Sequence, residues 1–303
     1  MAISFKDKVV IVTGAGGGLG RAHALEFAAL GAKVVINDLG GSLDGSGGNS
    51  AAAEKVVEEI KAKGGEAIAN GASVSDDAGV AHLVKQTMDA FGRIDVLVAN
   101  AGILRDKSFG KMELKDFTAV MDVHLLGTVK TAKAVWDIMK AQGYGRIVVT
   151  TSSTGLYGNF GQTNYGAAKL SLVGLMNSLK LEGAKDNIRV NAICPVAATR
   201  MTEALMPPAV LEMLKPEFVS PAVAYLASED APNGMILTAA AGAFAAARIV
   251  ETDGVNLGQN ATADDVAAHF AQITDWDTAK PYGQGGEQSA KFFARVQEKP
   301  LLG

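Results

Sequence analysis

Short, almost wholly apolar runs recur along this chain at residues 9–13, 33–37, 66–69, 95–99, 146–151, 189–193 and 235–239. A strand with one wet face alternates polar and apolar residues, whereas runs as uniform as VVIVT and VLVA suit strands covered on both faces. Between them lie helix-length amphipathic segments at 21–30, 50–62, 78–90, 114–140, 164–184 and 202–227. Strand–helix–strand repetition joins parallel neighbours through right-handed crossovers. The expected fold is therefore α/β: a doubly wound, parallel, seven-stranded sheet of Rossmann type with helices on both faces. In such a sheet functional groups gather at the carboxyl ends of the strands.

The first run leads straight into TGAGGGLG, which sets Gly14, Gly18 and Gly20 in the spacing TGxxxGxG. Glycines there allow positive φ and let backbone N–H groups approach a pyrophosphate, while the next helix N-terminus adds partial positive charge. A merely flexible turn is the plain alternative. The second run ends at Asp38, eighteen residues past Gly20. A carboxylate there accepts hydrogen bonds from an adenosine ribose and repels a 2′-phosphate, which favours NAD over NADP. No cation follows it, since Leu39 is next and Gly17 brings no charge into the loop. A helix or turn cap in DLGGSLDGSGGNS is the lesser alternative for Asp38. The fourth run ends in ANAG, with Asn100, Ala101 and Gly102 where a backbone passes close under a cofactor.

Residues 152–169, SSTGLYGNFGQTNYGAAK, carry the reactive groups. Tyr165 and Lys169 are four apart, so on a helix from about Asn164 they share a face roughly 5–6 Å apart. A free phenol titrates near ~10, and an ammonium at ~5 Å with an effective dielectric of ~20 favours the phenolate by about 3 kcal/mol, or ~2 units. Lys169 is thus expected to lower the Tyr165 pKa toward the range of a general acid/base. Ser152, at the end of GRIVVTTS, offers a hydroxyl to hold a carbonyl or alcohol oxygen.

With 303 residues, 48% hydrophobic and 20% charged, the chain can bury a large core. A net charge of −4 without a basic block gives no pull toward nucleic acid or anionic membrane. The one cysteine, Cys194, cannot form an internal disulfide, and MAISFKDK lacks the apolar core of a signal peptide, so cytoplasmic localisation is expected. Cys194 in IRVNAICP suits a small buried hydrophobe. The four histidines are scattered without ligand spacing, so no metal site is expected. The run 234–250 is short for a membrane span, and a buried strand followed by close packing is expected there.

Together, TGAGGGLG, NAG at 100–102, Ser152, YGAAK at 165–169 and PVAAT at 195–199 resemble the short-chain dehydrogenase/reductase family, in its order, over about residues 9–243. The resemblance implies that Tyr165 is the acid/base, that Lys169 depresses its pKa, and that Ser152 fixes the substrate oxygen. It implies NAD contacts from Gly14, Gly18, Leu19, Gly20, Asp38, Ser73, Val74, Asn100, Ala101, Gly102, Pro195 and Thr199, with Tyr165 and Lys169. His124, in MDVHLLGT, stands where most members carry the asparagine of a proton relay and is a candidate fourth catalytic residue. A helix histidine bonded to backbone is the alternative. Ala99 replaces the first asparagine of NNAG, Ser73 stands where an aspartate often contacts adenine, and Val196 replaces a common glycine.

Within that family, NDLGG, NAGILRDKSF, YGNFGQTNY, RMTEALMP and the C-terminal segment are most similar to the (3R)-hydroxyacyl-CoA dehydrogenase branch, part of peroxisomal multifunctional enzymes of type 2. This implies NAD-dependent oxidation of a (3R)-3-hydroxyacyl-CoA to the 3-oxoacyl-CoA, as in fatty acid β-oxidation, with a separate enoyl-CoA hydratase in the same pathway. A 17β-hydroxysteroid dehydrogenase would use the same residues, and a non-catalytic NAD(H)-binding regulator is the reading of a different class. Met201, Leu205, Met206, Leu211, Met213 and Leu214, broken by Pro207 and Pro208, suit either an adaptable apolar pocket or plain packing. Arg105, Lys107 and Lys111 are candidates to meet a coenzyme A phosphate. A dinucleotide-binding domain over 1–250 is expected, with 251–303 as an extension packed on it that opens at a capping box from Thr262 to Asp265. A second helix is expected over 287–296. Family resemblance and the Ala/Gly-rich last strand imply a homo-oligomer, a dimer or tetramer.

Overall fold

A computed structural model describes residues 2–42, 44–46, 48, 50–198 and 207–302. The chain divides into two compact units, Met1–Ala246 and Ala247–Gly303. In the first, the apolar runs form β1 (Val9–Thr13), β2 (Lys33–Asn37), β3 (Glu66–Asn70), β4 (Val96–Ala99), β5 (Gly145–Thr150), β6 (Ile188–Val196) and β7 (Ile236–Ala240), followed by β8 (Ala243–Ala247). The order across the sheet is β3-β2-β1-β4-β5-β6-β7-β8. Pairing is parallel from β3 through β7, with Thr13 beside Asn37, Val12 beside Val98 and Thr150 beside Ile193. Strands β1, β4 and β5 are buried at every position. That explains their largely apolar sequences, because helices cover both faces.

The eighth strand corrects the expectation of seven. Ala241 and Gly242 both take positive φ, 50° and 79°, so the chain reverses in two residues. A link that short can join only antiparallel neighbours. The run 234–250 is therefore a hairpin, and β8 is largely exposed rather than closely packed. Among the described residues no helix is long and apolar enough to cross a membrane.

Crossover helices are α1 (Gly18–Ala29), α2 (Ala51–Ala62), α3 (Asp77–Phe91), α4 (Leu114–Met121) and α5 (Gly127–Gln142), then α6 (Ser153–Tyr157) and α7 (Thr163–Gly183). The expected single helix over 114–140 is interrupted by a wide π-helical turn, Asp122–Leu126, centred on His124. Thr128 Oγ1 donates to the His124 carbonyl at 2.7 Å across that turn. The segment expected as one helix over 202–227 lies partly outside the described residues. Its remainder breaks into α8 (Pro208–Met213), a 3₁₀ turn at Pro216–Phe218 and α9 (Ser220–Leu226). Pro216 and Pro221 lack the N–H that a continuous helix would need.

In the second unit, Thr262 and Asp265 form the expected capping box at the start of α10 (Ala263–Ala268), which is followed by α11 (Phe270–Ile273) and α12 (Gly285–Arg295). Glu251 pairs with Lys280 as an antiparallel bridge. Its carboxylate accepts from Lys291 and Gln288, and this tethers α12 to the start of the unit.

Candidate active site

The sheet order reverses direction between β1 and β4, and the carboxyl ends of β1 to β6 open there into one cavity of about 600 Å³. A crevice outside such a switch point is where open α/β sheets bind ligands. Gly14 and Gly18 take positive φ, 65° and 52°, as the chain turns from β1 into α1. A Cβ on Gly14 would lie 2.7 Å from the Ala101 Cα, and one on Gly20 would lie 2.1 Å from the Gly14 carbonyl oxygen. Gly14, Gly18 and Leu19 line the cavity, whereas Gly20 is absent from its wall. The missing Cβ of Gly20 thus lets α1 seat against the loop.

Asn100 holds the same loop from β4. Its Nδ2 donates to the carbonyls of Thr13 at 3.0 Å and Gly14 at 3.1 Å, and the backbone N–H groups of Asn100 and Ala101 donate to Thr13 Oγ1. Asp38 lines the cavity after β2 while accepting from Gly16 N–H and Gly40 N–H, each at 2.7 Å. Asp38 therefore caps its turn and faces the cavity. Ser73, Val74, Ala101, Gly102 and Pro195 also line the wall. Thr199 lies outside the described residues, as do Met201, Leu205 and Met206.

Ser152 and Tyr165 both line the cavity, and the Ser152 hydroxyl acts to lower the Tyr165 pKa. Ser152 caps α6, where it accepts from the Thr154 N–H at 3.2 Å. Lys169 is one turn below Tyr165 on α7, buried with Ala168, Leu172 and Val173. Its Nζ lies 5.5 Å from the Tyr165 ring centroid and donates to the Thr150 carbonyl at 2.6 Å. The expected acidification of the phenol is not found. Burial, with a contribution from Asp106, pushes the Tyr165 pKa up, outweighing the Ser152 hydroxyl that lowers it. Burial likewise brings Lys169 down to about 7. A lysine losing its charge and bound to a carbonyl is a weak phenolate stabiliser.

His124 is buried beside this pair, its ring edge-to-face with Tyr165 at 5.2 Å and 89°. Its Nε2 lies 3.1 Å from the Ile103 nitrogen and 2.9 Å from the Ile103 oxygen. A Cβ on Gly102 would sit 2.2 Å from the imidazole Cε1, so glycine is required there. Burial brings His124 down to about 3, which keeps it neutral near pH 7. On the cavity wall, Thr150 Oγ1 and His124 Nδ1 have no hydrogen-bond partner among the described residues. Buried polar atoms left open in this way suit a polar ligand. With the glycine loop and Asp38, they form a wall that fits a dinucleotide.

Arg105 and Lys107 are committed elsewhere than a coenzyme phosphate. Both pair with Asp116, at 3.2 and 3.3 Å, and Arg105 also donates twice to the Asp44 carbonyl. Cys194 is buried and unpaired, its thiol pushed up to about 11 by burial. Among the described residues no group of His, Cys, Asp or Glu could hold a metal ion. Asp106 and Gln162 in the cavity wall were missed from sequence. Gln162 stands one turn before Tyr165, and that spacing is the only signal that could have marked it.

Residues 8–208 match the family model described as short chain dehydrogenase. The chain is 52% identical over 279 residues, 92% of its length and 98% of the other's, to a protein of Mycobacterium tuberculosis named as a short-chain type dehydrogenase/reductase. The structure of full-length peroxisomal multifunctional enzyme type 2 from Drosophila melanogaster superposes with a TM-score of 0.82 at 37% identity, covering 97% of this chain and 50% of that one. This chain thus spans about half the length of that enzyme. A 7α-hydroxysteroid dehydrogenase complexed with NADH and 7-oxo glycochenodeoxycholic acid gives a TM-score of 0.71 at 28% identity over 79% of this chain and 95% of that one. The chain belongs to the short-chain dehydrogenase family, as an oxidoreductase that acts on CH–OH groups with a nicotinamide cofactor.

Proposed function

We propose that this chain oxidises a (3R)-3-hydroxyacyl-CoA to the 3-oxoacyl-CoA with NAD. The observation that carries the reading is the meeting of Ser152, Tyr165 and Lys169 in one cavity with the glycine loop and Asp38. Similarity over nearly the whole chain to a peroxisomal multifunctional enzyme type 2 supports the substrate class. Ser152 holds the carbinol oxygen, and Tyr165, on the same cavity wall, exchanges the proton of that oxygen. Gly14, Gly18, Leu19 and Asp38 would hold a nicotinamide cofactor, which would supply the acceptor for the hydride of the carbinol carbon. Lys169 fixes the floor beneath Tyr165 through the Thr150 carbonyl. Asp38, its two oxygens held by backbone N–H groups, is set to accept from a ribose and repel a 2′-phosphate, which selects NAD.

Assembly as a homo-oligomer and supply of the alcohol by an enoyl-CoA hydratase belong to the same reading, and the unpaired Cys194 fits a reducing cytoplasm. A hydroxysteroid substrate is the second reading, favoured by the likeness to the 7α-hydroxysteroid dehydrogenase. Initial rates of NAD reduction across acyl-CoA lengths and steroid alcohols separate the two. The proposal expects a higher kcat/KM for the acyl-CoA series, and preference for a free steroid alcohol would replace it.

A further inference from the structure

One wall of the cavity carries a polar chain of contacts that the proton-transfer chemistry leaves unused. The Ser152 Oγ accepts from the Thr154 N–H, the Thr154 Oγ1 donates to the Gln162 Oε1 at 3.0 Å, and the Gln162 Nε2 donates to the Asp106 Oδ2 at 2.6 Å. Asn159 also donates to the Gln162 Oε1, at 3.0 Å. Ser152, Thr154, Asn159, Gln162 and Asp106 all line the cavity. The chain therefore runs along the cavity wall from the Ser152 hydroxyl to a carboxylate.

Arg105 and Lys107, the sequence neighbours of Asp106, are both spent on Asp116, and among the described residues Asp106 makes no ion pair. Its charge is felt at the reaction centre, since it contributes to the raised Tyr165 pKa. A carboxylate on the wall repels an anionic group brought close to it and accepts hydrogen bonds from a neutral one. Gln162, with both amide atoms engaged, holds the carboxylate at a fixed place.

We propose that Asp106 determines specificity at the acyl end of the substrate, rejecting free 3-hydroxy acids and admitting neutral 3-hydroxyacyl thioesters. The inference rests on the hydroxyacyl reading of the site. It adds that charge beside C1, and not chain length alone, decides which hydroxyacyl compounds enter. The coenzyme's own phosphates lie a pantetheine arm away from C1 and escape this repulsion.

The test compares two small substrates that differ in charge at C1, free (R)-3-hydroxybutanoate and its N-acetylcysteamine thioester, with NAD. The wild-type chain favours the thioester in kcat/KM. Asp106→Asn, which keeps a partner for Gln162, raises the acid-to-thioester ratio of kcat/KM about tenfold, the size of a like-charge repulsion across ~6 Å at an effective dielectric of ~40. Asp106→Glu, which retains the charge, leaves the ratio near that of the wild type. An unchanged ratio in Asp106→Asn, or a wild-type chain that oxidises the free acid as well as the thioester, overturns the role of Asp106 while leaving the proposed function standing. Oxidation of neither compound removes the hydroxyacyl reading and this inference with it.

Discussion

Lys169 shows how far burial sets the chemistry of a single side chain. Its ammonium is enclosed by α7 and β5, gives a hydrogen bond to the Thr150 carbonyl, and falls to a pKa of about 7. Spacing on a helix revealed that it neighbours Tyr165, but not that desolvation would outweigh the Coulomb attraction, because burial is a property of the packed sheet. Since the phenol must lose its proton to act as a base, and its pKa is raised, oxidation gains with rising pH and reduction with falling pH. Asp38 makes the sharper residue-level case. Asp38→Ala removes a charge from the cavity wall, so the NAD-to-NADP ratio of kcat/KM should fall at least tenfold, as separate titrations of the two cofactors would show. An unchanged ratio would assign cofactor choice to another group. Asp38 was legible because it follows an apolar run at a fixed distance from the glycines. Asp106 was not, because its place in the wall depends on the fold of the loop after β4.

Between elements, the turn from β1 to α1 and the end of β4 hold one another in place. The Asn100 amide reaches two carbonyls of the turn, and the missing Cβ atoms of Gly14 and Gly20 leave room for that approach. Asn100→Ala strands both carbonyls, which at about 1 kcal/mol each weakens NADH binding roughly tenfold or more. Fluorescence titration of bound NADH checks this, and affinity within twofold of the wild type would reduce Asn100 to a bystander. The strands and most crossover helices were readable from apolar runs and amphipathic spacing. The π-helical turn at His124 was not, since residue pattern alone does not mark one extra residue per turn. The β7–β8 hairpin was hidden by Ala and Gly, which carry little strand signal, and its turn depends on the left-handed backbone of Ala241.

At the scale of the whole molecule, the protein's acid sensitivity follows from two histidines sealed into it. His23, whose Nδ1 meets the Ser220 hydroxyl at 2.9 Å between α1 and α9, and His124 both fall from 6.5 to about 3 through burial. They are neutral when folded and protonated when unfolded between those values, so the unfolded state binds more protons and stability drops as pH falls through that window. From pH 7 to 5 each costs about 2 kcal/mol, and urea midpoints should shift accordingly. A flat profile would mean that these rings are hydrated in the folded state. The same architecture places every reacting group at one edge of a parallel sheet, and Tyr165 is the group on which turnover depends. The direct trial is NADH formation from (3R)-3-hydroxybutanoyl-CoA by the wild-type chain and by Tyr165→Phe, with NADH affinity measured on both. The geometry requires turnover in the first, a loss of about 10³-fold or more in the second, and near-equal affinities. Activity within a few fold in the phenylalanine variant would contradict it.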